Sequence, residues 1–327
     1  MDASQATVFA REFASINGAI SSAILGKTSA IGLVLTALFA GGHVLLEDKP
    51  GTGKTSLAKA LAAAVRGSRG RIQFTPDLLP SDVIGANVFD QRSGEFEFRA
   101  GPVFCSVLLA DEINRASPKT QSALLQVMEE RQVTIDGETY EAPSPFIVIA
   151  TQNPVEQLGT YPLPEAQLDR FLIRTALDYP DHSAAIALVA ESSRIDRTIG
   201  IEPVVTTERV VELSDLASNA YIAPNLLDYI VSLVEATRTD RRCELGASMR
   251  GGLALARCGK VYAMAHNRHY VTPDDIKAIA QAVLAHRLII SADAQIDGVK
   301  QSDVIDDVLR QVPVPAAGDP RMAGATA

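Results

Sequence analysis

The chain has 327 residues, 47% of them hydrophobic, enough to bury a substantial core and suited to one large α/β domain or a domain with a smaller appendage. Its net charge of -9 excludes a broad nucleic-acid footprint, because phosphate backbones are met by Lys/Arg surfaces. Cys105, Cys243 and Cys258 lie far apart with no Cys-x-x-Cys pair, which excludes a disulfide framework and a zinc site and points to a reducing cytoplasm.

The start, Met1-Asp2-Ala3, shows no basic segment followed by an apolar core, so no secretory signal is expected. Residues 30–46 form the most apolar run and approach bilayer-spanning length. Gly41-Gly42-His43 divides that run into a helix at 31–40 and a short buried strand at 43–46, so no membrane span is expected. From there to about residue 176, short apolar runs alternate with helical patterns, which predicts a parallel sheet covered by helices. The core strands are read at 43–46, 71–74, 106–110, 146–150 and 172–175. Two hairpins interrupt the pattern, one near 87–99 turning through Gln91-Arg92-Ser93-Gly94, the other near 133–140 turning at Asp136-Gly137.

Beyond Tyr179-Pro180-Asp181 helical periodicity takes over, with a cap signal at Thr272-Pro273-Asp274-Asp275 like the earlier Ser117-Pro118. The reading is an α/β core at 1–180, an all-helical lid at 181–308 and a disordered tail at 309–327, rich in Pro, Ala and Gly from Pro313 onward.

The strand at 43–46 runs into Pro50-Gly51-Thr52-Gly53-Lys54-Thr55-Ser56 and then an Ala/Leu-rich helix. Two glycines free the backbone N–H groups to face phosphate oxygens, and the new helix turns its positive end to the same anion. Lys54 would reach the β/γ-phosphates of ATP, and the Thr55 hydroxyl would ligate Mg²⁺. The strict pattern has glycine five residues before Gly53; here Asp48 stands there, at the strand exit rather than in the phosphate cradle, so nucleotide binding is expected to survive.

Val107-Leu108-Leu109-Ala110-Asp111-Glu112 is an apolar strand ending in two acids, at the carboxyl edge where ligands collect in open α/β sheets. Asp111 would hold Mg²⁺ through its water shell and Glu112 would polarise an attacking water. Alone, such a strand end is often merely solvated; downstream of a phosphate loop it reads as chemistry. The strand at 146–150 exits through Thr151-Gln152-Asn153-Pro154, which puts Asn153 beside the acids if the two strands are neighbours; Asn-Pro is also a common turn pair.

Glu47-Asp48-Lys49-Pro50-Gly51-Thr52-Gly53-Lys54-Thr55, Asp111-Glu112-Ile113-Asn114-Arg115-Ala116 and Glu165-Ala166-Gln167-Leu168-Asp169-Arg170-Phe171 together resemble the MoxR family of AAA+ ATPases, and the match covers nearly the whole chain. The hairpin near 87–99, flanked by residues 74–82 and Gly101-Pro102-Val103-Phe104, is similar to the helix-2 insert of that clade. The resemblance implies an AAA+ P-loop core with a helical lid, a homo-oligomeric ring, usually a hexamer, and Mg²⁺-dependent ATP hydrolysis between neighbours. It makes Arg170 the arginine finger, although surface Arg–carboxylate pairs are common. Gly246-Ala247-Ser248-Met249-Arg250 stands where the family usually has Gly-Ala-Ser-Pro-Arg, so Arg250 aligns with the sensor-2 arginine while Met249 gives up the fixed φ of proline.

The five histidines show no metal-ligand spacing beyond His266-x-x-His269, which reads as a helix-face pair, and Arg66-Gly67-Ser68-Arg69-Gly70-Arg71 reads as a solvated connection. Three functions fit. The first is a chaperone-like motor that remodels partners, for this family von Willebrand factor A domain proteins, in complex maturation or metal-cofactor insertion. The second is the ATPase subunit of a metal-chelatase complex. The third is a nucleotide-gated scaffold without turnover, against which Glu112, Asn153 and Arg170 all speak. DNA remodelling is disfavoured by the acidic balance.

Overall fold

The computed structural model describes residues 3–49, 51–152, 160–190 and 196–315, which form two compact units, one of Arg11–Asp215 and one of Met1–Ala10 with Leu216–Ala327. The chain runs through α1 (Ala3–Ala23), α2 (Thr28–Phe39), β1 (Val44–Glu47), α3 (Lys54–Ala64), β2 (Arg69–Gln73), α4 (Pro80–Ile84), β3 (Gly85–Asp90), β4 (Glu95–Ala100) and β5 (Val107–Asp111). It continues with α5 (Pro118–Glu130), β6 (Gln132–Ile135), β7 (Glu138–Glu141), β8 (Ile147–Gln152), α6 (Glu165–Leu168), β9 (Ile173–Thr175), α7 (His182–Ala190) and α8 (Thr207–Ser218). The later elements are α9 (Pro224–Thr239), β10 (Cys243–Leu245), α10 (Met249–Ala265), α11 (Pro273–Leu284), β11 (Ile289–Ile290), α12 (Ala292–Ile296) and α13 (Gln301–Gln311).

Five strands build a parallel sheet in the order β2-β5-β8-β1-β9. All five expected core strands are present, each displaced by two residues or fewer at either end. The inner strands β5 and β8 are buried along their apolar length because helices cover both sheet faces, and this explains why they read as unbroken apolar runs. One face, carrying Leu45, Ile72, Leu108, Ala110, Val148 and Ala150, packs on Leu124, Leu125, Val127 and Met128 of α5. Burying each of the Leu, Ile, Val and Met side chains contributes about 2 kcal/mol, and each alanine less. The opposite face meets α3 and α2. The apolar run at 30–46 becomes α2 and β1, and no helix among the described residues is long and apolar enough to cross a membrane.

Both expected hairpins form, β3–β4 and β6–β7. They are joined to each other: the Phe98 and Tyr140 rings stack at 3.9 Å, and Asn87 Nδ2 donates to Asp136 Oδ2 at 2.7 Å.

The unit boundary falls after Asp215 rather than at 180. Local bonds explain the difference. The Val204 and Val205 N–H groups donate to Ala64 O, Lys59 pairs with Asp196 at 2.7 Å, and Arg209 grips Glu12 through two bonds, so the stretch up to α8 is tied to the sheet unit. The described residues of the other unit are helical apart from a Tyr221–Tyr270 bridge and the antiparallel pair β10–β11, three and two residues long and too short to show a period-2 pattern. Its last helix, α13, continues to Gln311, three residues past the expected end of the lid at 308, because Val304, Ile305 and Val308 are buried on one face; residues 316–327 lie outside the described residues.

Candidate active site

Strand order sets the site. β8 lies between β1, which feeds the glycine loop, and β5, which ends in the acids, and β2 flanks β5, so the carboxyl ends of four adjacent strands and the start of α3 open onto one cleft. The cleft encloses about 150 Å³ and is lined by Asp48, Gly51 and Lys54 of the loop, Asp111 and Glu112, Arg71 and Gln73 of β2, and Thr151 and Gln152 of β8.

The loop takes its shape from Gly51 and Gly53, at φ 83° and 98°, a region that side chains with a Cβ avoid. Gly53 is the N-cap of α3 and offers no capping side chain, so the first N–H groups of the helix, at Lys54, Thr55 and Ser56, are left for an anion. Lys54 Nζ folds back over the loop and donates to Lys49 O at 2.9 Å. Thr52 is buried, and Pro50 lies outside the described residues.

Asp48 lines the cleft, yet its carboxylate is turned away into the protein, accepting the N–H groups of Leu177 at 2.5 Å and Asp178 at 3.0 Å. The residue that departs from the strict loop pattern is a buried bracket between the loop and the chain after β9.

The two acids are held differently. Asp111 has a nearly buried side chain; its Oδ2 accepts Arg71 Nε at 3.0 Å and pairs with Arg71 Nη2 at 2.9 Å, while Oδ1 accepts the Thr151 hydroxyl at 3.3 Å. Glu112 sits at φ 55°, in left-handed conformation, and its N–H donates to Thr151 Oγ1 at 2.9 Å. Its Oε2 accepts Gln73 Nε2 at 2.8 Å and Arg115 Nη1 at 2.9 Å. A non-glycine residue in that region costs about 1 kcal/mol, and such strain collects where a side chain must be aimed.

The donor set suits a divalent magnesium-type cation: a carboxylate oxygen at Asp111 and a hydroxyl at Thr55, both hard, with α3 packed against β5. β5 and β8 pair directly, so the condition placed on Asn153 is met by the strands, although Asn153 itself lies outside the described residues. Arg170 is not in the cleft wall. It pairs with Glu129 of α5 at 3.1 Å, and its buried Nε has no hydrogen-bond partner. Arg250 belongs to the helical unit, in the first turn of α10, where its N–H donates to the capping Ser248 Oγ at 3.1 Å.

Arg71, read from sequence as the end of a solvated basic connection where the strand at 71–74 begins, lies in β2 and pairs with Asp111, because Arg69–Gln73 joins the sheet beside β5; Gln73 and Thr151 carry no site role in the sequence reading. Arg71 and Gln73 stand two apart at the end of a strand and so share a face, a signal that acquires meaning only when β2 is known to flank β5.

Residues 43–173 match the family model of ATPases associated with various cellular activities (AAA), and 235–308 match an AAA lid domain. Chaperone MoxR1 of Mycobacterium tuberculosis is 40% identical over 306 residues, spanning 89% of this chain and 79% of its own. Protein MoxR of Methylorubrum extorquens is 32% identical over 317 residues, spanning 90% and 91%. The chain belongs to the MoxR family of AAA+ ATPases. The uncharacterized protein YeaC of Bacillus subtilis is 44% identical over 296 residues, spanning 90% of this chain and 92% of its own. A crystal structure of a candidate ATPase from Cytophaga hutchinsonii superposes with a TM-score of 0.89 at 38% identity, covering 96% of this chain and 98% of that one. The MoxR fold expected from the motifs, an AAA+ core with a helical lid, is the fold observed.

Proposed function

We propose that the chain hydrolyses ATP with Mg²⁺ in a ring of identical subunits, probed by nucleotide state, and uses the cycle to remodel a partner protein. The observation that carries the hydrolysis is the meeting, in one cleft, of an uncapped helix start, a positive-φ glycine loop with Lys54, and the acids Asp111 and Glu112. The backbone from Gly51 to Ser56, with Pro50 before it, receives the phosphates; Lys54 meets the β/γ oxygens; Thr55 and Asp111 hold the cation. Mg²⁺ supplies neutralisation of the charge that develops on the transferred phosphoryl group. Glu112 aims at the attacking water, and Asn153 orients it.

Arg170, outside its own cleft, serves the neighbour's site as the finger, and a hexamer is the ring size the family favours. Within its own subunit one terminal nitrogen of Arg170 pairs with Glu129 while the buried Nε has no hydrogen-bond partner, so part of its donor set is unused there. Arg250 reports nucleotide occupancy to the lid. Partners of the von Willebrand factor A class, and a chaperone-like role in their maturation, rest on the family alone; MoxR1 of Mycobacterium tuberculosis carries the name chaperone. The cytoplasm is the compartment that ATP supply and free thiols at Cys105, Cys243 and Cys258 favour.

The test is ATP turnover with Mg²⁺ by the native chain and by Glu112→Gln. Native turnover of about 0.1–10 per second, falling at least a hundredfold in the variant with ATP still bound, is the expected result. No turnover by the native chain at any concentration sinks the motor reading. The same Glu112→Gln chain, loaded with ATP, is the bait for partners; recovery of proteins that lack a von Willebrand factor A domain removes that partner class.

A further inference from the structure

Arg71 stands in the cleft without a role in the reading above. In the sheet register Gln73 lies opposite Asp111 and Arg71 opposite Leu109, so Arg71 rises from the same face as Asp111 and reaches it on the diagonal. The guanidinium takes Oδ2 with two nitrogens, at 2.9 and 3.0 Å, and Nη2 also donates to Gln73 Oε1 at 3.4 Å. The Asp111 side chain is 9% exposed and that of Arg71 is 53% exposed. A carboxylate this far from water requires a counter-charge, and Arg71 supplies it from a side chain whose outer half remains in the cleft.

We propose that Arg71 is a positioning residue that couples divalent-cation binding to nucleotide binding. It neutralises Asp111 while the cleft holds no nucleotide, so a divalent cation arriving alone meets a carboxylate already paired with a positive charge. When nucleotide is present, its phosphates supply the negative charge that lets Arg71 and the cation share the cleft. The proposal rests on the reading that Asp111 faces the metal, and it predicts that metal does not fill that position ahead of nucleotide.

Mn²⁺ alone is the probe, its free concentration read by electron paramagnetic resonance on the full chain, first without nucleotide and then with ADP. Arg71→Gln is expected to tighten Mn²⁺ binding to the nucleotide-free chain about tenfold, within the range by which outer-shell partners alter metal affinity. With ADP the gain shrinks to about twofold or less, while Arg71→Lys, which keeps the charge, stays near native. Arg71→Met removes the charge with similar bulk and carries the test if Arg71→Gln does not fold. Asp111→Asn added to either neutral variant is expected to abolish the gain. Unchanged or weaker Mn²⁺ binding in the neutral variants overturns the proposal, as does an equal gain in Arg71→Lys or a gain that survives Asp111→Asn. If the native chain hydrolyses ATP while these variants bind Mn²⁺ as it does, the coupling fails and the ATPase reading stands; if the native chain binds no Mn²⁺ even with nucleotide, the reading of the metal site fails first.

Discussion

Asp48 stands where a strict phosphate loop has glycine, and its carboxylate satisfies two backbone N–H groups at Leu177 and Asp178. Restoring the expected glycine therefore removes a structural bond rather than repairing a motif. Asp48→Gly is expected to destabilise the sheet unit by about 2 kcal/mol, since the buried Leu177 N–H and the part-buried Asp178 N–H lose a charged acceptor. Calorimetry of the full chain checks this, and a melting temperature equal to or above native refutes it; nucleotide affinity is not expected to improve. The acids were legible as residue types at a strand end. The partners that hold them, Arg71, Gln73, Thr151 and Arg115, come from three separate segments, and their roles were not.

At the scale of elements, helix caps were the most readable features. Thr272 caps α11 as its sequence pattern predicts, and the reciprocal bond comes from Asp275, which is 2% exposed and also receives both terminal nitrogens of Arg268 at 2.5 Å. Asp275→Ala is expected to cost about 3–5 kcal/mol, more than a cap alone, because it leaves a partly buried guanidinium without its carboxylate. A chemical-denaturation midpoint shifted by less than a simple cap loss, about 1 kcal/mol, argues that Arg268 finds another partner.

A second ionic cluster joins the end of α9, β10 and α13. Arg242 pairs with Asp240 at 2.7 Å and with Asp307 at 2.6 Å, and Arg310 adds a further contact to Asp307. Arg242 holds the carboxyls of Asp240 and Asp307 below their usual range. Both groups are thus harder to protonate folded than unfolded. The stability they contribute is complete above the unfolded value of about 3.9 and is lost as pH falls through the depressed folded values. Thermal melts are expected to be flat in this contribution from pH 7 to 5 and to fall below about pH 4, and Asp240→Asn is expected to lose stability at pH 7 while showing a shallower acid decline. Equal acid slopes in the two chains would remove Asp240 from the account.

At the scale of the molecule, the described residues divide into two compact units, one of residues 3–10 with 216–315 and the other within Arg11–Asp215. The proposed ring makes a prediction that belongs to the assembly. If Arg170 completes a neighbour's site, turnover per subunit rises with protein concentration, and Arg170→Ala retains nucleotide binding while losing at least a thousandfold in rate, the scale of an arginine finger. Mixing that variant with Glu112→Gln, each inactive alone, restores turnover at junctions where an intact Glu112 site meets an intact Arg170. Turnover independent of concentration, or unaffected by Arg170→Ala, moves the finger elsewhere.

The sequence by itself determined whatever is carried by contiguous residues: the glycine loop and the helix it starts, the strand that ends in Asp111-Glu112, the two hairpins, the caps and the family to which these motifs belong. Each depends on backbone chemistry within a few positions, so the local pattern suffices. Only the tertiary structure decided what depends on register between distant strands. It placed β8 between loop and acids, set Arg71 on the diagonal from Asp111, and turned Asp48 inward to the chain after β9. Pairing of strands far apart in the chain is settled by burial of whole sheet faces, a collective choice that no single segment encodes.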